Sequence, residues 1–129
     1  MDALSPHFWV KDMHASIAFY RDVLGFEVQR AEPAESPTFA ALTRGEANIM
    51  LSPFDESFDG WAMVPEAEKR RGLGGPVAFY IEAGDIEAEF ALASAAGAVV
   101  DPLADRPWGQ REFVVDDPDG FWWAIWKAS

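Results

Sequence analysis

One order of elements occurs twice in 129 residues, and few folds accommodate it. In the first half a short apolar strand at residues 4–10 is followed by Asp12, a suitable helix N-cap. Met13, Ile17, Tyr20 and Leu24 then fall at helical spacing. Gly25 suits the left-handed position that ends a helix. Strands are predicted at residues 26–30, 38–43 and 47–52, with Arg44-Gly45-Glu46 as a hairpin turn between the last two. The second half repeats the order. A strand at residues 77–82 leads to Asp85, and Ile86, Phe90, Ala93 and Gly97 follow at helical spacing. Strands are predicted at residues 98–100, 111–116 and 121–126, the last two joined by an Asp117-Pro118-Asp119-Gly120 turn. Asp12 thus answers to Asp85, Gly25 to Gly97, and residues 49–51 to residues 123–125. The repeat lies in pattern rather than identity.

The fold class is therefore α+β, as two strand-helix-three-strand modules at about residues 1–54 and 76–129 of a single domain. The connection at residues 55–75 holds Pro, Gly, charges and stranded aromatics. Its Gly72-Leu73-Gly74-Gly75 cluster lacks the Lys-Ser/Thr of a phosphate loop, and reads as a hinge.

Composition removes several function classes. The chain has no Cys, which excludes disulfides, thiolate catalysis and Cys-based zinc sites. No apolar run is long enough to span a membrane. No signal peptide is evident, so a cytoplasmic location is the expectation. The net charge of −12 disfavours nucleic acid and anionic lipid, and favours cationic partners or simple solubility. No Gly-x-Ser-x-Gly elbow is present for serine chemistry.

Residues 107–120 read Pro-Trp-Gly-Gln-Arg-Glu-Phe-Val-Val-Asp-Asp-Pro-Asp-Gly. Together with Val10-Lys11-Asp12, Ser16-Ile17-Ala18-Phe19-Tyr20 and Leu24-Gly25-Phe26, this run resembles the vicinal oxygen chelate superfamily of glyoxalases, bleomycin-resistance proteins and extradiol dioxygenases. The Trp-Gly and Arg-Glu-Phe elements are most similar to bleomycin-resistance proteins. The resemblance implies a curved mixed sheet around a concave cavity, with the helices on the convex side. Strand alternation then sends Phe8, Val10, Ile49, Leu51, Phe113, Val115, Trp123 and Ile125 under the helices. It sends Ser5, His7, Trp9, Asn48, Met50, Ser52, Glu112, Val114, Trp122, Ala124 and Trp126 to the cavity. Phe54, Trp61 and Trp108 would line it from loops.

Metal-dependent members of that superfamily carry His or Glu at four positions. Here these correspond to Ser5, Met50, Val77 or Ala78, and Ala124. None ligates a divalent cation of the usual kind, so no metal and no other cofactor is expected. His7 and Glu112 are the weak catalytic candidates, as an acid/base pair. The alternatives are a hydrogen-bonded wall histidine and an ion pair of Glu112 with Arg111 or Arg106. Six Trp in this length suggest an aromatic ligand site, a cavity filled by its own large rings, or rings buried in a dimer interface. The leading reading is a metal-free protein that captures a planar or cationic small molecule, such as an antibiotic, using His7, Trp9, Asn48, Met50, Phe54, Trp61, Trp108, Glu112, Val114, Trp122 and Trp126. The alternative is a lyase, isomerase or dioxygenase of the same fold. A homodimer is expected, since two modules leave sheet edges uncovered.

Overall fold

Local sequence sets both helix starts. Asp12 has extended backbone, and its carboxylate accepts from the Ala15 N–H at 3.0 Å. Asp85 does the same for the Ala88 N–H at 3.2 Å. Each cap is worth about 1 kcal/mol. They open α1, Met13–Asp22, and α2, Ile86–Ala95. Gly25 and Gly97 both take φ of +71°, which turns the chain out of each helix at little cost.

The structure, a computed structural model, describes residues 4–53 and 77–129. Its contacts divide the chain into two units, Met1–Pro76 and Val77–Ser129. The first holds β1 (His7–Val10), α1, β2 (Glu27–Glu32), β3 (Phe39–Arg44) and β4 (Ala47–Pro53). The second holds β5 (Ala78–Glu82), α2, β6 (Val99–Asp105), β7 (Gln110–Asp116) and β8 (Trp122–Ala128). In place of one curved sheet, each unit holds its own four-stranded mixed sheet, in the orders β1-β4-β3-β2 and β5-β8-β7-β6. In each, the first and last strands of the module pair in parallel and the other pairs are antiparallel. His7 lies beside Met50, and Tyr80 beside Ala124.

Each sheet packs one face on its own helix. In the first unit Tyr20 of α1 is fully buried, stacked on Phe8 and edge-on to Phe26. Val10, Leu42, Ile49 and Leu51 complete that core. In the second unit Phe90 of α2 meets Phe113 edge-on at 5.3 Å, and Trp123 packs against Phe79. Val115 and Ile125 are fully buried beside them. Phe8, Val10, Ile49, Leu51, Phe113, Val115, Trp123 and Ile125, which alternation assigns to the helix side, are all buried.

Several boundaries differ from the sequence reading. β1 begins at His7 rather than residue 4. Pro6 has no N–H to donate, although its carbonyl accepts from the Met50 N–H at 2.9 Å. β6 runs on to Asp105 instead of stopping at residue 100. It is an edge strand with two register shifts, and this setting tolerates Pro102 within a strand. Among the described residues no helix is long and apolar enough to cross a membrane.

Candidate functional site

The faces turned away from the helices carry the candidate residues, one set in each unit. In the first unit, His7 and Trp9 of β1 share a face with Asn48, Met50 and Ser52 of β4. His7 and Trp9 are two apart on one strand, and their rings stack at 4.2 Å with planes 22° apart. Phe39 of β3 meets His7 edge-on at 6.2 Å. His7 Nε2 is 2.9 Å from Ser52 Oγ. That bond joins residues 45 apart in sequence, and only the β1–β4 register makes it visible. Ser52 is 1% exposed, so its hydroxyl serves the histidine and is not presented to a substrate. Asn48 Nδ2 donates to the Glu46 carbonyl at 3.2 Å.

Burial holds the His7 pKa below its ordinary value of 6.5, because desolvation penalises the charged ring. The unfolded chain therefore takes up the proton more readily than the folded one. The stability this neutral histidine allows is fully present above about pH 6.5 and is lost as pH falls through the lower folded-state value. Melting temperature should drop between pH 7 and pH 5.5, above the range where ordinary carboxylates titrate, at about pH 4. In His7→Gln the drop over that interval should shrink. An equal drop in both proteins would assign it to other groups.

The second unit presents Tyr80, Trp122, Ala124, Trp126, Glu112 and Val114 on one face. The register sets them in rows. Tyr80, Ala124 and Val114 lie side by side, with Trp126 between Glu82 and Glu112 on one flank. On the other flank Trp122 lies between Ala78 and Asp116. Tyr80 is 57% exposed and Trp122 43%. Sequence reading missed Tyr80. Its signal was available, since it stands 73 residues after His7, as Asp85 stands after Asp12.

Glu112 is 2% exposed, an unusual setting for a carboxylate. Oε1 accepts from the Trp108 indole N–H at 2.6 Å. Oε2 has no hydrogen-bond partner among the described residues. The alternative of an ion pair with Arg111 or Arg106 is not how Glu112 is held. Arg106 instead donates to the Glu112 backbone carbonyl at 3.2 Å and pairs with Asp101. Arg111 turns to the helix side and pairs with Glu87 at 2.7 Å. Trp108 sits in the turn before β7, where Gly109 takes φ of +86°, and the residue is 61% exposed. His7 and Glu112 belong to different units, and each is hydrogen-bonded within its own. Phe54 and Trp61 lie outside the described residues, as do Asp55, Glu56 and Asp59.

A divalent metal does not fit this residue set. Asp12 and Asp85 fix the correspondence of Ser5 with Ala78 rather than Val77, so the four positions hold Ser5, Met50, Ala78 and Ala124. Hydroxyl, thioether and methyl groups make no such centre. Among the described residues no three His, Asp or Glu side chains gather around a point.

Comparison with known proteins agrees with this architecture. Residues 4–125 match the Glyoxalase/Bleomycin resistance protein/Dioxygenase superfamily. An uncharacterised protein of Mycobacterium bovis is 35% identical over 130 aligned residues, covering 95% of this chain and 81% of that one. The chain belongs to the glyoxalase, bleomycin-resistance and dioxygenase superfamily. Among solved structures, TioX from Micromonospora sp. ML1 superposes with a TM-score of 0.77 at 23% identity, covering 100% of both chains. TnmS3 from Streptomyces sp. CB03234, described as an antibiotic-binding protein, gives 0.70 at 19% identity, covering 100% of this chain and 97% of its own. These two likenesses establish shared fold.

Proposed function

We propose that the protein binds a flat small molecule stoichiometrically, without a divalent cation, and that the helix-distal face of the second unit is its main contact surface. The observation that carries this reading is the pair Trp122 and Trp126 on one side of β8, with Ala124 between them and Tyr80 alongside. Their Cα positions are roughly 13 Å apart along the strand. The long indole side chains can lean toward each other over Ala124, so that a fused ring system meets one at each end. Large exposed aromatics on a sheet face are uncommon without a partner, and ring faces suit flat ligands. The carboxylates of Glu82, Glu112 and Asp116 flank the indoles, so planar cations are favoured over planar anions. The antibiotic-binding description of TnmS3, a protein of the same fold, makes polycyclic antibiotics the first ligands to test. His7, Trp9, Asn48 and Met50 offer a second aromatic and polar surface in the first unit.

A thermal-shift screen of polycyclic antibiotics and simple fused-ring compounds tests the reading. A compound that binds only the folded chain at a hundred times its Kd should stabilise it by about 2.7 kcal/mol. Melting temperatures unmoved by every flat compound, together with turnover of a non-aromatic substrate, would replace it with an enzymatic role.

A further inference from the structure

The Glu112 carboxylate is built more elaborately than a binding wall requires. It is 2% exposed, on a strand face it shares with Trp126, and one oxygen has no hydrogen-bond partner among the described residues. A buried oxygen left without a donor is destabilising, the more so when it is charged. Native proteins keep few such groups, and each calls for a physical reason. The nearby cations do not supply one. The Arg106 guanidinium is spent on the Pro102 and Glu112 carbonyls and on Asp101. Arg111 and Lys127 lie on the helix side, bonded to Glu87 and to the Ala83 carbonyl. By strand alternation, the described part of this face carries no Lys or Arg. What holds the other oxygen is also weakly secured. Among the described residues, Trp108 makes no hydrogen bond beyond the one to Oε1, and the residue is largely exposed.

We infer that Glu112 Oε2 is the specificity-determining acceptor for a cationic N–H group on the flat ligand, and that Trp108 swings off the carboxylate to admit it. This rests on the binding function proposed above and adds the ligand's chemical class, a protonated aromatic amine or amidine. The ligand's N–H supplies the missing donor while its rings lie against Trp126, the cross-strand neighbour of Glu112. The indole N–H of Trp108 is the native placeholder for one of two donor positions.

Two compounds of one shape separate charge from flatness. At pH 8, 9-aminoacridine is a cation with N–H donors, and acridine is neutral with none. Calorimetric titration of the full chain in 0.15 M salt should show 9-aminoacridine binding at least about tenfold tighter, as expected of one charge-assisted hydrogen bond. Glu112→Gln keeps the shape and the acceptor for Trp108. It should remove most of that preference while leaving acridine affinity within about twofold. General attraction to a chain of net charge −12 would barely change on losing one charge of twenty-two acidic groups. Trp108→Phe keeps a ring but removes the competing donor, and should strengthen 9-aminoacridine binding severalfold. Equal binding of the two compounds to the wild type overturns the inference and leaves the flat-ligand reading standing. So does a preference that survives Glu112→Gln, or a Trp108→Phe variant that binds the cation no better. Failure of both compounds to bind the wild type overturns the reading and the inference together.

Discussion

Phe113→Ala should cost about 3–5 kcal/mol of folding free energy, whereas Trp122→Ala should cost less than about 1 kcal/mol. The two residues are on neighbouring strands of one sheet and differ in which face they occupy. Phe113 is buried under α2, edge-on to Phe90, and its loss leaves a cavity that the close-packed ring of Trp123, Val115 and Ile125 cannot collapse into. A domain of this size is stable by only about 5–15 kcal/mol, so the first variant should unfold at markedly lower urea. Trp122 is nearly half exposed, and its removal takes away cross-strand packing alone. Urea titrations of both variants measure the contrast. Equal losses would mean that Trp122 is a core residue, and the binding face would disappear with that finding.

The second large effect concerns the ligand. Trp126→Ala and Trp122→Ala should each lower acridine affinity several-fold to about tenfold, since stacking contributes roughly 0.5–1.5 kcal/mol beyond the area it buries. The Cα positions of the two residues are roughly 13 Å apart along β8, far enough for their effects to add. The double variant should then bind up to about a hundredfold more weakly, with its melting temperature little changed. If one substitution alone abolishes binding and the other has no effect, the ligand does not bridge the pair.

Much of this fold is written locally. Asp12 and Asp85 cap their helices through contacts three residues away, and Gly25 and Gly97 must take positive φ where each helix ends. Such signals survive without knowledge of tertiary structure. Strand alternation carried equally well, because a period of two assigns every side chain once one buried residue is known. That is why the core positions Phe113, Val115, Trp123 and Ile125 were legible. The ends of strands were less so. Pro102 reads as a breaker, and only the edge position of β6 explains its place in a strand. The site was legible as a list of facing residues but not as a set of bonds. His7 finds Ser52 through a parallel pairing that no local pattern announces. The Trp108–Glu112 bond spans four residues, yet it depends on the Gly109 turn folding the indole back. Arg106 and Arg111 near Glu112 in sequence suggested an ion pair, but Arg106 bonds its backbone carbonyl and alternation sends Arg111 to the opposite face.

The indole N–H signals of the six tryptophans give the most direct test of where a ligand lies. They are resolvable by proton–nitrogen correlation spectroscopy in a chain of 129 residues. Titration with 9-aminoacridine should shift the signals of Trp122 and Trp126 in a saturable, one-to-one manner. The Trp108 signal should move furthest, as its hydrogen bond to Glu112 is replaced. The Trp123 signal, under the helix, should stay in place. Shifts confined to Trp123, or saturation with all three of Trp108, Trp122 and Trp126 unmoved, would contradict a ligand site on this face.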